Sequence, residues 1–162
     1  DFNFINEVFN LIPLEVSASI GMNQFKRLDK MMKIRSYNRK EIIRNLKKSK
    51  KWNNQFRFFN PSKNLNPSWF GLPFLINKQK KFNKEKYLKF LNNNNIETMP
   101  IISGNFTNQF AVKLHNIKFK KKELENAQII EDYGFFIGLP TEKIEKNKIY
   151  KLVDHLLQID NY

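Results

Sequence analysis

His115 and His155 are the chain's two imidazoles, and there is no cysteine. Zinc sites draw three or four ligands, mostly His and Cys at short spacings, and neither histidine has such a neighbourhood. Thiol nucleophiles and disulfides are excluded outright. His155 lies in an apolar-periodic stretch near the C-terminus, where a surface or packing role is expected. His115 lies in an unpatterned stretch with no partner motif. The five glycines form neither a phosphate loop nor a dinucleotide fingerprint. Glu123, Glu125, Glu131 and Asp132 read as charges on a helix surface. Taken alone, these residues contain no self-contained catalytic constellation.

The lysines offer a different chemistry. The net charge is +14, a balance that often marks proteins binding nucleic acid or anionic membrane. Lys, Asn, Ile and Phe are all abundant while Gly, Ala and Arg are scarce, which is what an AT-rich coding sequence produces. Lys47, Lys48, Lys50 and Lys51, and again Lys118 and Lys120 to Lys122, fall near expected helix ends and loops. Two readings follow: a solvated surface, or a basic nucleic-acid module with lysines on phosphates and exposed Phe or Trp stacking on bases. The aromatics fall in apolar runs such as Trp69-Phe70 and Phe135-Phe136, apart from the lysines, which favours the first. A membrane-surface helix over Leu14 to Leu46 is disfavoured by the small residues on its apolar face. No stretch has the apolar length to cross a bilayer, and no signal-peptide pattern opens the chain. A cytoplasmic setting is the expectation. Asp1 stands where a Met would open a complete chain, as expected of a sequence beginning mid-protein.

The elements that must position any site begin with Leu14 to Leu46. Apolar or small residues fall at Leu14, Ala18, Gly21, Phe25, Leu28 and Met32, the spacing of one helix face. The phase passes through Arg35 and Arg39 and resumes at Ile42 and Leu46. Pro13 suits a first turn. The expectation is one long helix, apolar along a seam in its first half and basic in its second, with the rest of the chain packed on it. A short strand is expected at Gln55 to Phe59. Strands follow at Trp69 to Ile76, where Pro73 argues for an edge or bulge, at Ile96 to Ile102, and at Phe135 to Leu139. Helices are expected from an N-cap at Asn83 to Leu91, over Lys122 to Tyr133 with Gly134 as a left-handed cap, and from Thr141 to about Gln158. Asn105 to Phe119 reads as loop after a turn at Ser103-Gly104-Asn105. With 41% hydrophobic residues over 162 positions, the chain can bury one core. Its class is α/β (α+β), helices covering a small sheet.

Several segments carry a resemblance. Phe9-Asn10-Leu11, Pro13-Leu14-Glu15, Ala18-Ser19-Ile20-Gly21, Gln24-Phe25 and Leu28-Asp29 resemble the start of the small domain in the DegT/StrS family of pyridoxal-phosphate enzymes acting on nucleotide sugars. Pro67-Ser68-Trp69-Phe70-Gly71-Leu72-Pro73, then Ile96 to Pro100 running into Ser103-Gly104-Asn105 and Gln109, then Gly134 to Pro140, agree in order. The Trp-Phe-Gly and Gly-Asn pieces are similar to those of the CDP-4-keto-6-deoxyglucose 3-dehydratase branch. The resemblance implies a small C-terminal domain over 13–162, with 1–12 entering from a large domain before Asp1. It implies a long first helix and a small, mostly antiparallel sheet. It implies a nucleotide-sugar aminotransferase or dehydratase of deoxysugar and polysaccharide biosynthesis, using pyridoxal 5'-phosphate (PLP) or pyridoxamine 5'-phosphate held mainly by that large domain. A homodimer is implied, and for a 3-dehydratase an iron–sulfur reductase partner. The lysine or histidine at the reacting carbon would lie outside this chain, so the chain alone is expected to be inactive.

By motif, Asn10 matches the family asparagine that reaches the cofactor phosphate of the neighbouring subunit; the alternative is an Asx-turn into the helix. Gly104 and Asn105 are candidates to line the substrate cleft, with the backbone approaching a sugar closely, or make a plain turn. Trp69 and Phe70 wall that cleft or pack in the core. Gln109 is a weaker match. Met99 stands where Arg is common, and Asn108 and Phe110 replace Arg and Pro. Methionine lacks the charged fork that Arg offers a phosphate or carbonyl oxygen.

Overall fold

The computed structural model describes residues 14–77 and 82–162. Two helices open it, α1 (Glu15–Phe25) and α2 (Leu28–Lys48). Strands β1 (Phe56–Phe58) and β2 (Gly71–Ile76) follow, then helix α3 (Lys84–Asn93) and strand β3 (Thr98–Met99). Helices α4 (Phe110–Leu114) and α5 (Glu125–Tyr133) precede β4 (Gly134–Gly138), and α6 (Lys146–Leu156) closes the α/β order. The strands form one antiparallel sheet in the order β1-β2-β4-β3.

The single long helix of the sequence reading is in fact two. At Lys26 and Arg27 the chain tightens, with the Arg27 N–H on the Gln24 carbonyl at 2.9 Å. This i→i+3 bond interrupts the α-helical ladder without glycine or proline. The seam of the first half is also not where the fold packs. No residue of α1 is buried, and Phe25 is 76% exposed. The core lies instead on the second half of α2, through Ile42 and Leu46. The phase does hold through the two arginines: Arg35 Nε donates to the Leu139 carbonyl at 3.1 Å, and Arg39 Nη2 to the Phe59 carbonyl at 2.6 Å. Between them Asn38 is fully buried. Its amide donates to the carbonyls of Pro140 (3.2 Å) and Glu142 (2.7 Å), and its oxygen accepts from the Ile144 N–H (3.1 Å).

Period-two alternation sends Leu72, Phe74 and Ile76 of β2, with Phe135 and Ile137 of β4, toward the core formed with α2, α3 and α6. Phe74 and Phe135 stack there at 5.0 Å, and Tyr87 meets Phe135 edge-on at 6.0 Å. Asn83 caps α3 as expected, accepting from the Lys86 N–H at 3.0 Å. Although β2 lies inside the sheet, β1 ends at Phe58 opposite Phe74. The β1 side of Pro73 is therefore open, the condition proline requires.

Four local expectations need correction. The strand expected over Ile96 to Ile102 is confined to Thr98–Met99, because the chain turns at once, with the Gly104 N–H on the Ile101 carbonyl at 3.0 Å. Gly134 does not end α5 in a left-handed cap: its φ is −90° and ψ 141°, and it opens β4. Glycine is needed because a Cβ would lie 2.4 Å from the Ile130 carbonyl oxygen and 2.9 Å from Ile101 Cδ1. The stretch expected as loop holds a 3-10 turn (Phe106–Asn108) and α4. The last helix begins at Lys146, because the Glu142 carbonyl and the Ile144 N–H are bonded to the Asn38 side chain and not within a helical turn.

Candidate functional site

The sheet face opposite α2, α3 and α6 carries a cleft of about 610 Å³. Strand register builds its floor. Pro73 pairs with Phe136, and Phe136 with Met99, so the three side chains form one row across β2, β4 and β3. The Phe136 ring leans over Gly71, where a Cβ would lie 2.6 Å from Phe136 Cδ2. This contact explains a glycine inside a strand. One wall comes from the chain entering β2. There Phe70 is 66% exposed and sits 5.6 Å from Phe136. Trp69 takes φ +48° and lies under Arg39, whose Cζ is 3.9 Å from the ring centroid. The other wall is Pro100 to Ile102, leaving β3. Among the described residues, no charged side chain lines this cleft. It suits a flat or apolar surface.

A second pocket of about 290 Å³ adjoins it, sharing Pro100, Ile101 and Ile102. Its polar lining comes from Lys84, Ser103, Gln109 and Glu131. Gly104 is there at φ +61°, with its Cα facing Glu131 so closely that a Cβ would lie 2.7 Å from Glu131 Cβ. Asn105 is buried behind this turn. Its N–H donates to Glu131 Oε2 (2.7 Å), its amide to Gln128 Oε1 (3.0 Å), and its oxygen accepts from Thr107. Lys84, in the first turn of α3, donates to the Glu131 carbonyl at 2.6 Å. Burial lowers its pKa, and the charges of Asp132 and Glu131 oppose that shift.

Sequence-predicted residues thus fall into two neighbouring pockets. Trp69, Phe70 and Met99 line the larger, Gly104 and Gln109 the smaller. Asn105 lines neither and its side chain is engaged inside the chain. Asn108 bonds Gln128 and Glu131 (3.1 and 2.9 Å), and Phe110 is exposed. Asn10 lies outside the described residues. Glu131, expected as a plain surface charge, is the hub that holds the Gly104 turn. Lys84 and Phe136 were missed as well; only the pairing of β4 with both β2 and β3 reveals Phe136. His155 fulfils its structural expectation, with Nδ1 2.6 Å from the Lys151 carbonyl and its ring 5.8 Å from Phe90.

Neither of these two pockets by itself makes a holder for PLP. A phosphate needs several converging donors. The larger cleft has no charged lining side chain, and the smaller offers one ammonium already on a carbonyl beside the Glu131 carboxylate.

Comparison with known proteins fits this geometry. The chain is 27% identical over 158 residues to the GDP-4-keto-6-deoxy-D-mannose 3-dehydratase of Escherichia coli O55:H7, covering 98% of this chain and 38% of that protein. It is 28% identical over 138 residues to the Yersinia pseudotuberculosis enzyme of the same name, covering 85% and 33%. These relatives are named for a GDP-linked sugar, where the motif resemblance pointed to a CDP-linked one. The fold overlays a crystal structure of GDP-4-keto-6-deoxymannose-3-dehydratase with a trapped PLP-glutamate geminal diamine, at a TM-score of 0.75 and 26% identity, over 95% of this chain and 38% of that one. The chain thus spans little more than a third of the proteins it matches. The family model of the DegT/DnrJ/EryC1/StrS aminotransferases matches residues 9–156, and the chain belongs to that family.

Proposed function

We propose that residues 13–162 are the small C-terminal domain of a PLP- or pyridoxamine-phosphate-dependent nucleotide-sugar 3-dehydratase, entered by residues 1–12 from a large domain. Aminotransfer on a nucleotide sugar is the second outcome that the family allows. The observation that carries the reading is the similarity to a 3-dehydratase along 98% of the chain. The bare seam of α1 supports it: Phe25 and Met22 on an exposed helix face are what an interface looks like when its partner is not in view. In this reading the large domain holds the cofactor and covers that seam. Asn10 reaches the cofactor phosphate of the other subunit of a cytoplasmic homodimer. An iron–sulfur reductase partner accompanies the dehydratase case.

This chain's own residues then shape the substrate side. The cleft walled by Trp69 and Phe70 receives an apolar or planar part of the nucleotide sugar, with Phe136 as its floor. Backbone at Gly104 approaches the sugar from the adjoining pocket, and Asn105 holds that turn in place. Met99 puts a thioether on the cleft floor where relatives of this type commonly carry a guanidinium, so oxygen recognition shifts elsewhere. The test is turnover by the full-length protein with cofactor and a GDP-linked 4-keto-6-deoxy sugar, with L-glutamate and, in a second arm, with a low-potential reductant standing in for the reductase, read by mass spectrometry. Loss of the C3 hydroxyl is expected; gain of an amine without that loss assigns aminotransfer; an unaltered sugar refutes the reading.

A further inference from the structure

Sharing no lining residue with the cleft, a groove of about 450 Å³ lies between α2 and β1. Five cations line it: Arg39, Lys40, Arg44 and Lys47 from α2, and Arg57 from β1. Among the described residues, no carboxylate does. A coding bias toward lysine does not produce this arrangement. The chain has 24 lysines but only five arginines (Arg27, Arg35, Arg39, Arg44 and Arg57), and three of the five converge here. Arginine's rigid fork is what planar, bidentate recognition of phosphate oxygens uses.

Arg39 gives the second, independent observation. It is only 8% exposed, yet among the described residues no carboxylate stands within ion-pair distance of it. Its Nη2 is on the Phe59 carbonyl, and its buried Nε has no hydrogen-bond partner. A buried guanidinium without counter-charge is costly. Only Arg44 among the five has a described carboxylate partner, Glu41, which does not line the groove. An anion in the groove would offset this positive potential as a whole. Trp52 and Phe58, stacked at 6.0 Å, form one wall, and Asn54 and Asn60 add amides at the rim.

We propose that this groove binds an oligophosphate group, either free or as the phosphate chain of a nucleotide, at a position separate from the sugar cleft. Several adjacent phosphates are needed to engage cations spread over about two turns of α2 and across to β1. The groove's volume lies within the range of small-ligand sites. The aromatic wall accommodates a base but is not required for the phosphates. This proposal does not depend on the reaction proposed above.

The experiment is calorimetric titration of the full-length protein with inorganic tripolyphosphate, a nucleoside triphosphate and a single-stranded oligonucleotide, at low salt. Wild type is compared with the double variants Arg44→Gln/Arg57→Gln and Lys40→Gln/Lys47→Gln. All four positions are exposed, and circular dichroism checks that the variants fold. Both variants are expected to weaken tripolyphosphate binding at least tenfold while leaving sugar-nucleotide turnover unchanged. A nucleoside triphosphate binding more tightly than tripolyphosphate identifies the nucleotide source; equal affinity identifies the free anion. Absence of tripolyphosphate binding, equal affinity in wild type and both variants, or binding of the oligonucleotide alone would overturn the proposal.

Discussion

Replacing Asn38 by alanine tests how α2 holds the segment that follows β4. The side chain is fully buried and makes three hydrogen bonds, to the carbonyls of Pro140 and Glu142 and from the N–H of Ile144. Each such bond contributes about 1 kcal/mol net, and more where removal strands a buried partner. Asn38→Ala is therefore expected to cost about 3 kcal/mol, a large share of a typical domain's stability. With a urea m-value of about 2 kcal/mol/M, the midpoint falls by roughly 1.5 M. Asn38→Asp sharpens the test. It keeps the acceptor for Ile144 but turns an oxygen toward two carbonyls. At pH 7 it is expected to be at least as destabilised as the alanine variant. Facing acceptors, its carboxyl holds a proton more tightly in the folded state than in the unfolded chain, so stability returns in part as pH falls. Urea titrations at pH 7 and at mildly acidic pH read both effects. A loss below about 1 kcal/mol for Asn38→Ala would refute the reasoning, since it would mean that water or a shifted backbone replaces the three bonds at no cost.

Gly104→Ala places a side chain at φ +61° and 2.7 Å from Glu131 Cβ; the left-handed backbone alone costs about 1–2 kcal/mol, so a lowered melting temperature is expected with a weakened substrate KM. Tyr87 is buried and donates to the Leu156 carbonyl at 2.9 Å, and burial first, then Tyr162, raises its pKa well above the ordinary tyrosine range. Its contribution to stability is complete below about pH 10, where the unfolded phenol still holds its proton, and declines above it. Chemical denaturation across that range is expected to show a shallower alkaline fall in Tyr87→Phe than in wild type. Phe70→Ala removes an exposed cleft wall, so stability should move by no more than about 0.5 kcal/mol while KM for the sugar nucleotide rises severalfold in full-length enzyme. Met99→Arg puts a guanidinium on the cleft floor and is expected to change substrate affinity; an unchanged value would argue against a contact there.

The parts of this molecule legible in its sequence are those governed by local periodicity and turn chemistry. Asn83 caps its helix through its own side chain, and Trp69 to Ile76 is a strand apart from its first two residues. Of the residues read as substrate-binding, Trp69 and Phe70 line the larger pocket and Gly104 the smaller, whereas Asn105 lines neither. What was not legible depends on partners distant in sequence. The apolar spacing of α1 looked like a core seam, yet periodicity identifies a face without saying what covers it. Asn38 is one polar letter in a basic run, and its meaning appears only when residues 140–144 fold back over it. Gly134 carried the expected residue type for a cap, but the restriction comes from Ile130 and Ile101 pressing on a strand, not from a left-handed turn. Glu131 and Phe136 acquire their roles through pairing across the sheet and from the Gly104 turn, which no window of sequence contains.

The most direct test of the account is product analysis on the full-length protein supplied with cofactor, a GDP-linked 4-keto-6-deoxy sugar and, in separate arms, L-glutamate or a low-potential reductant, beside its Phe70→Ala variant. The account predicts a sugar that has lost its C3 hydroxyl, formed by wild type at low substrate and by the variant only at raised concentration. A sugar recovered unaltered from both would contradict it.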